Sequence, residues 1–174
     1  LTNSGDSNSY LDFAITKNNP QAVSPFETTG GGPDEYGYFW SESRLDTNIQ
    51  FSWADISDGN LVEFNHNDQS SEPFDIGFDF SFYGVKYSQF IINPNGWIGF
   101  SSDNNGWSNQ EIPQVDAPRA AIFAFWDDLN PINNSNETGS GEVYYKNEDG
   151  KLSVWFNNVI HYPGNYNGTY NFQI

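Results

Sequence analysis

Residues 76–83, with the sequence IGFDFSFY, alternate large apolar side chains with small, polar or tyrosine side chains without an exception. Ile76, Phe78, Phe80 and Phe82 share one face of this repeat. A period of two residues is the signature of a β-strand with one buried face, because successive side chains point to opposite sides of the pleat. This stretch therefore predicts a half-buried strand.

Similar short patterns lie on both sides of this strand. Pro94-Asn95-Gly96 separates the apolar segments 87–93 and 97–101, and Asn-Gly predicts a hairpin turn because both residues tolerate a positive φ. Segments 142–146 and 152–159, joined by residues 147–150, predict a second hairpin. Further strands are predicted at 10–16, at 168–174 and at 120–126, where AAIFAFW indicates a central strand covered on both faces. No stretch of ten residues shows a helical period, so we predict an all-β fold, an antiparallel β-sandwich or jelly roll.

The chain divides by composition into two regions. Residues 1–33 are rich in Asn, Ser, Gly and Pro and predict an N-terminal strand with a linker, whereas residues 34–174 predict the sandwich domain. Since the last strand pattern runs to the end of the sequence, we expect a domain truncated at its C-terminus. The predicted core consists of alternating or consecutive apolar residues, namely Phe78, Phe80, Phe82, Ile98, Phe100, Phe123, Phe125, Val154 and Phe156.

The chain is strongly acidic. Six Lys and Arg against 23 Asp and Glu give a formal charge of −17. Such a surface repels nucleic acid phosphates and anionic membranes, so neither is an expected partner. No apolar run approaches the roughly 20 residues that span a bilayer, and the absence of Cys excludes disulfides and thiol chemistry.

Catalytic motifs are absent from the sequence. The two histidines, His66 and His161, belong to no HExxH arrangement, and GxSxG and P-loop patterns are missing. We expect both histidines to be structural residues at loops or strand ends. A pair of carboxylates would suffice for a glycosidase or lyase, but no spacing selects such a pair.

A metal site is predicted where the apolar run 120–126 ends. Asp127, Asp128 and Asn130 follow it, and Glu137 and Glu142 come within the next loop. Ca²⁺ takes six to eight oxygen ligands in flexible geometry, so these five residues are the candidate calcium ligands. The alternative is that the carboxylates cap turn amides or face water. A weaker acidic cluster comprises residues 103–105 with Glu111 and Asp116.

Three tryptophans are candidates for binding a ligand, because an indole can stack on the apolar face of a sugar ring. Trp107 lies in a polar, loop-like segment that would expose it. Trp97 and Trp155 are out of phase with the predicted core and would lie on the outer face of a sheet. The alternative for these outer-face rings is a covering loop or second layer.

Six segments in order carry a resemblance to known extracellular domains. They are PDEYGYFW at 33–40, FSWADI at 51–56, FSFYG at 80–84, NGWIGF at 95–100, AFWDDL at 124–129 and GEVYY at 141–145. The series resembles a β-sandwich accessory domain of large secreted bacterial surface proteins and peptidases, of the kind exported by the type IX system. Its middle part is similar to the nidogen-type extracellular domain.

The resemblance implies a non-catalytic accessory or interaction domain, secreted or on the cell surface and involved in adhesion. Its partners would be neighbouring domains of the same polypeptide, a polysaccharide or an extracellular protein. A bound Ca²⁺ would be compatible with this role, and no catalytic residues carry over from the family. A carbohydrate-binding module using the exposed tryptophans is the alternative, and a glycosidase or lyase is the least favoured function.

Overall fold

A computed structural model describes residues 13–17, 30–43, 46–101, 106–164 and 168–174. The chain comprises two units, Leu1–Trp53 and Ala54–Ile174. The domain boundary predicted between residues 33 and 34 falls inside the first unit and stays a prediction. Within the first unit, a three-stranded antiparallel sheet has the order β1-β3-β2, with β1 at Phe13–Lys17, β2 at Gly30–Gly31 and β3 at Tyr38–Glu42.

The second unit contains two antiparallel sheets. One has the order β5-β6-β7-β8, with β5 at Phe74–Phe82, β6 at Val85–Asn93, β7 at Trp97–Gly99 and β8 at Ala121–Phe123. The other has the order β12-β11-β10-β4, and β9 also pairs with β11. Its strands are β4 at Asn60–Leu61, β9 at Leu129–Asn130, β10 at Glu142–Glu148, β11 at Lys151–His161 and β12 at Tyr170–Gln173. The described residues contain no helix, so the predicted all-β sandwich is confirmed.

Two tight turns explain why neighbouring strands pair as hairpins. Tyr83 and Gly84 join β5 to β6 with φ values of 47° and 78°, and Asp149 and Gly150 join β10 to β11 with 53° and 75°. Consecutive positive φ values are those of the two-residue turn whose twist matches the twist of paired strands. The hairpin predicted around residues 147–150 is thus confirmed.

The core lies between the two sheets. β5 carries the predicted alternation, with Ile76 buried and Phe78, Phe80 and Phe82 half-buried against the core. Ile98, Phe100, Val154 and Phe156 are buried as predicted. Other side chains buried in the same cluster are Val62, Phe90, Ile92, Leu129, Val143 and Val159.

The prediction for residues 120–126 is wrong in extent. Only Ala121–Phe123 forms a strand, because Ala120 has a φ of 50° and pairing with β7 ends at Phe123. Phe123 is half-buried, and Phe125 is 37% exposed rather than in the core, with its ring 4.6 Å from that of Tyr170. The chain leaves the sheet after Phe123, and Asp128 then lines a cavity.

Candidate functional site

A cavity of about 360 Å³ lies within the second unit. Its walls come from five separate stretches of chain, so no local sequence motif marks it. The lining residues are His66, Asn67, Asp68, Trp107, Asp128, Asn136, Glu137, Thr138, Tyr162 and Pro163. The set combines three carboxylates with two aromatic rings, and a concave site with a few convergent polar groups is the usual form of a ligand-binding site.

The turn between β6 and β7 holds two walls of this cavity together. The fully buried side chain of Asn95 donates from Nδ2 to the carbonyl of Asn67 at 3.1 Å and accepts the N–H of Leu129 on Oδ1 at 2.8 Å. Asn93 is equally buried and donates to Oγ of Ser70 at 2.9 Å. The hairpin predicted at this turn is confirmed, but its burial was not anticipated from the sequence.

Gly106, which precedes Trp107, is held in place by two hydrogen bonds to its carbonyl oxygen. It accepts the indole N–H of Trp97 at 3.0 Å and that of Trp126 at 3.1 Å. The buried Trp97 and the half-buried Trp126 therefore anchor the base of the loop. Trp107 itself is 49% exposed and lines the cavity. The predicted exposure of Trp107 is confirmed.

Trp97 is covered, which is the alternative given above for the outer-face rings, and it stands outside the core cluster to which Ile98 belongs. Its exposed fraction is 0%, because both faces of β7 are covered and its indole is committed to Gly106. Since its ring is out of reach of solvent, Trp97 cannot stack on a sugar. Its role is to support the loop that carries Trp107.

Trp155 is half-buried on β11 and lies outside the cavity lining. Its ring centroid is 5.7 Å from that of Tyr144 on the paired strand, and its indole N–H donates to Asn171 Oδ1 at 2.7 Å. Cross-strand aromatic pairs of this kind stabilise a sheet. Ligand binding by Trp155 stays a prediction, at a surface distinct from the cavity.

Two carboxylates in the cavity are incompletely paired. Oδ1 of Asp68 and Oδ1 of Asp128 are buried and accept no hydrogen bond from the part of the chain that the structure describes. Burial raises the pKa of Asp128, and the negative charges of Asp68 and Asp127 raise it further, while His161 opposes them. Among the described residues, the cavity thus contains carboxylate oxygens without matching donors.

Neither histidine supplies the missing donor. Nδ1 of His66 accepts the backbone N–H of Asp68 at 3.1 Å, so this nitrogen carries no proton to share with the carboxylate 3.9 Å away. His161 lies between the carbonyl of Tyr162 and Oδ1 of Asp127, which is 3.4 Å from its Nε2. His66 lines the cavity, which a solitary histidine in a polar segment gave no means of predicting.

The five predicted calcium ligands do not converge on one point. Asp128 and Glu137 both line the cavity, whereas Asp127 faces His161. Asn130 is buried and committed to the fold, since its Oδ1 accepts the N–H of Ile132 at 2.9 Å and its Nδ2 donates to Glu137 at 3.0 Å. These two hydrogen bonds give Asn130 a structural role, and its assignment as a calcium ligand stays a prediction.

Glu142 stands apart from the other four candidate ligands. It is exposed at the start of β10 and accepts the hydroxyl of Tyr144 at 2.8 Å. Among the described residues no group of three or more His, Cys, Asp or Glu side chains is arranged to hold a metal ion. Calcium binding stays a prediction. Of the five candidate ligands, Asp128 and Glu137 line the same cavity.

The weaker acidic cluster is divided in the same way. Residues 103–105 lie outside the described part of the chain, and Glu111 and Asp116 are exposed. Asp68 belongs to neither predicted cluster, although it faces Asp128 across more than fifty residues of sequence. Pairing of such distant side chains is set by the sandwich and not by local spacing.

Comparison with protein families gave one relationship. The model of a family described as NIDO related matches residues 45–174, which include the whole of the second unit and therefore the cavity. Comparisons with curated proteins and with solved structures gave no match. In the described residues there is no helix with the length and apolar character needed to cross a membrane.

Proposed function

The chain belongs to the NIDO-related family, and from this premise we propose that it is a non-catalytic interaction domain of a secreted or cell-surface protein. The cavity beside Trp107 is its binding site, and it serves a multidomain protein by attaching it to an extracellular partner. The order of sequence segments shared with accessory domains of secreted bacterial proteins supports this context. The net charge of −17 disfavours nucleic acids and anionic membranes as that partner.

The exposure of Trp107 at the cavity is the observation that carries this proposal. The ring of Trp107 is 49% exposed, and the base of its loop is held by two indole hydrogen bonds, so the ring is presented at the cavity from a fixed support. Rigid aromatic side chains at concave sites are the usual anchors of recognition, since they bury much area for little lost freedom.

A carbohydrate-binding module is the second candidate function. Trp107 offers a ring for stacking, and the nearby carboxylates and the amide of Asn136 offer hydrogen-bond partners for hydroxyl groups. This alternative differs from the first in its ligand and not in its site. The identity of the bound ligand therefore distinguishes the two proposed functions, because loss of binding in a Trp107 variant is expected from both.

The experiment is a parallel screen of the whole chain on a glycan array and on an array of peptides from extracellular proteins. We expect a ligand on one array that is lost in Trp107→Ala and retained in Trp40→Ala, the matched control in which a 46% exposed indole is removed from β3 of the first unit. Binding that is equal in wild type and Trp107→Ala would contradict the proposed site. Hydrolysis of glycans or peptides at enzymatic rates would replace the proposal with an enzyme.

A further inference from the structure

The cavity presents acceptors for a positively charged ligand. Its lining contains the carboxylates of Asp68, Asp128 and Glu137, and no Lys or Arg is among the described residues that form it. Oδ1 of Asp68 and Oδ1 of Asp128 are each buried without a donor from the described residues. Buried carboxylate oxygens are normally hydrogen-bonded, so each such oxygen in a native structure calls for an explanation.

The cationic side chains that the structure describes do not donate to either Oδ1 atom. The chain has only six Lys and Arg, and Lys146 is bound to Asp58 at 3.0 Å and to Glu148 at 3.0 Å. The nitrogen of His66 nearest to Asp68 is an acceptor of a backbone N–H, as described above. Each Oδ1 is itself shielded, but both side chains are only half-buried, so a ligand in the cavity can reach their outer atoms and supply donors there.

The dimensions favour an organic cation over a metal ion. A cavity of about 360 Å³ is far larger than one coordinated ion, and the described side chains form no group of three suited to a metal. A guanidinium group is planar, carries five N–H donors and can serve two carboxylates at once. It also stacks on aromatic faces, and Trp107 and Tyr162 line the same cavity with 49% and 43% of their surfaces exposed.

We propose that the cavity formed by Asp68, Asp128, Trp107 and Tyr162 binds the guanidinium group of an arginine side chain on an extracellular partner protein. This inference rests on the proposed function as an interaction domain and names the chemistry of its partner. The charge of −17 would draw a basic partner toward the domain over a long range, and salt would slow that association.

The test is calorimetric titration of the whole chain with the peptide acetyl-Gly-Arg-Gly-amide. The matched ligand control is the same peptide with citrulline, which keeps the shape of arginine and removes its charge. We expect the arginine peptide to bind at least about tenfold more tightly than the citrulline peptide, because charge-assisted hydrogen bonds are lost in the latter. Equal affinities for the two peptides would overturn the proposal.

Variants place the binding in the cavity. Asp68→Asn and Asp128→Asn should each weaken binding of the arginine peptide at least about tenfold, with unchanged far-ultraviolet circular dichroism. Asp79→Asn, which removes the same charge from an exposed position on β5, should change the affinity less than about twofold. An equal loss in all three variants would show non-specific attraction to the acidic surface and would overturn the proposal.

A separate arm excludes a metal as the occupant. If CaCl₂ alone raises the melting temperature of wild type and Asp128→Asn abolishes that increase, the cavity is a calcium site and the arginine proposal fails. Failure of the arginine peptide together with a Trp107-dependent array ligand would leave the proposed function standing and reject only the partner chemistry. Failure of both would reject both.

Discussion

Replacing Asn95 with Ala tests how the cavity is built. The side chain is fully buried and joins the loop at Asn67 to the strand beginning at Leu129 through hydrogen bonds of 3.1 and 2.8 Å. Asn95→Ala leaves one buried carbonyl and one buried N–H unpaired, and each such group costs about 1–3 kcal/mol. With the small void that the truncation creates, we expect a loss of about 3–5 kcal/mol in the free energy of unfolding.

The assay is urea denaturation of the purified chain followed by tryptophan fluorescence, with the midpoint and the slope m both fitted. Asn60→Ala is the matched control, because Asn60 is exposed on β4 and should change the free energy of unfolding by less than about 0.5 kcal/mol. A third variant, Asn95→Asp, keeps an acceptor for Leu129 but sets a buried carboxylate against the carbonyl of Asn67. Its folded-state pKa should be raised, so its stability should increase as the pH is lowered through that pKa, because the protonated acid can donate. The reasoning is refuted if Asn95→Ala unfolds within about 1 kcal/mol of wild type.

Three further predictions concern the backbone, the loop that carries Trp107 and the charge in the cavity. Gly96→Ala should lower the free energy of unfolding by more than about 3 kcal/mol, because its Cβ would lie 1.9 Å from a backbone oxygen at a φ of 85°. Gly150→Ala, with a φ of 75° and open space around it, should lower it by only about 1–2 kcal/mol. Similar losses for the two variants in urea denaturation would contradict this prediction. Trp126→Phe should lower the free energy of unfolding by about 0.5–1.5 kcal/mol, because it removes the hydrogen bond to Gly106. Trp155→Phe should lower it by less, because the hydrogen bond that it removes is at the surface. The reverse order in urea denaturation would count against the anchoring role of Trp126. The folded-state pKa of Asp128 is raised, so ionisation of this residue destabilises the fold as the pH rises through that pKa. Asp128→Asn should therefore melt above wild type at pH 7, and the gap should close below the unfolded-state pKa of about 3.9. A gap that does not change with pH would refute the assignment.

The strands were largely predictable from sequence because they depend on local pattern. The alternation at β5 and the turn residues at 149–150 act over a few positions, and the observed burial and φ values agree with them. The extent of β8 was not predictable, since an apolar run does not show where a partner strand ends. Ala120 and Phe125 depart from the pattern for reasons that lie in the pairing with β7 and the packing on Tyr170.

The candidate site was predictable only in part. Trp107 and Asp128 could be identified because each stands in a polar segment beside an apolar run. The covering of Trp97 could only be stated as an alternative, because alternation distinguishes two faces of a strand but does not show that both are covered. Asp68 and His66 carry no local signal, and their position beside Asp128 depends on the hydrogen bonds of Asn95 to two distant segments.

The most direct measurement of the central claim is a ¹H–¹⁵N chemical-shift map of the whole chain during titration with acetyl-Gly-Arg-Gly-amide. If the cavity binds an arginine side chain, the largest shifts will be at the amides of Asp68, Asp128 and Glu137 and at the indole N–H of Trp107. The citrulline peptide should leave these signals in place. Shifts spread over the acidic surface, or confined to residues outside the cavity, would contradict the account.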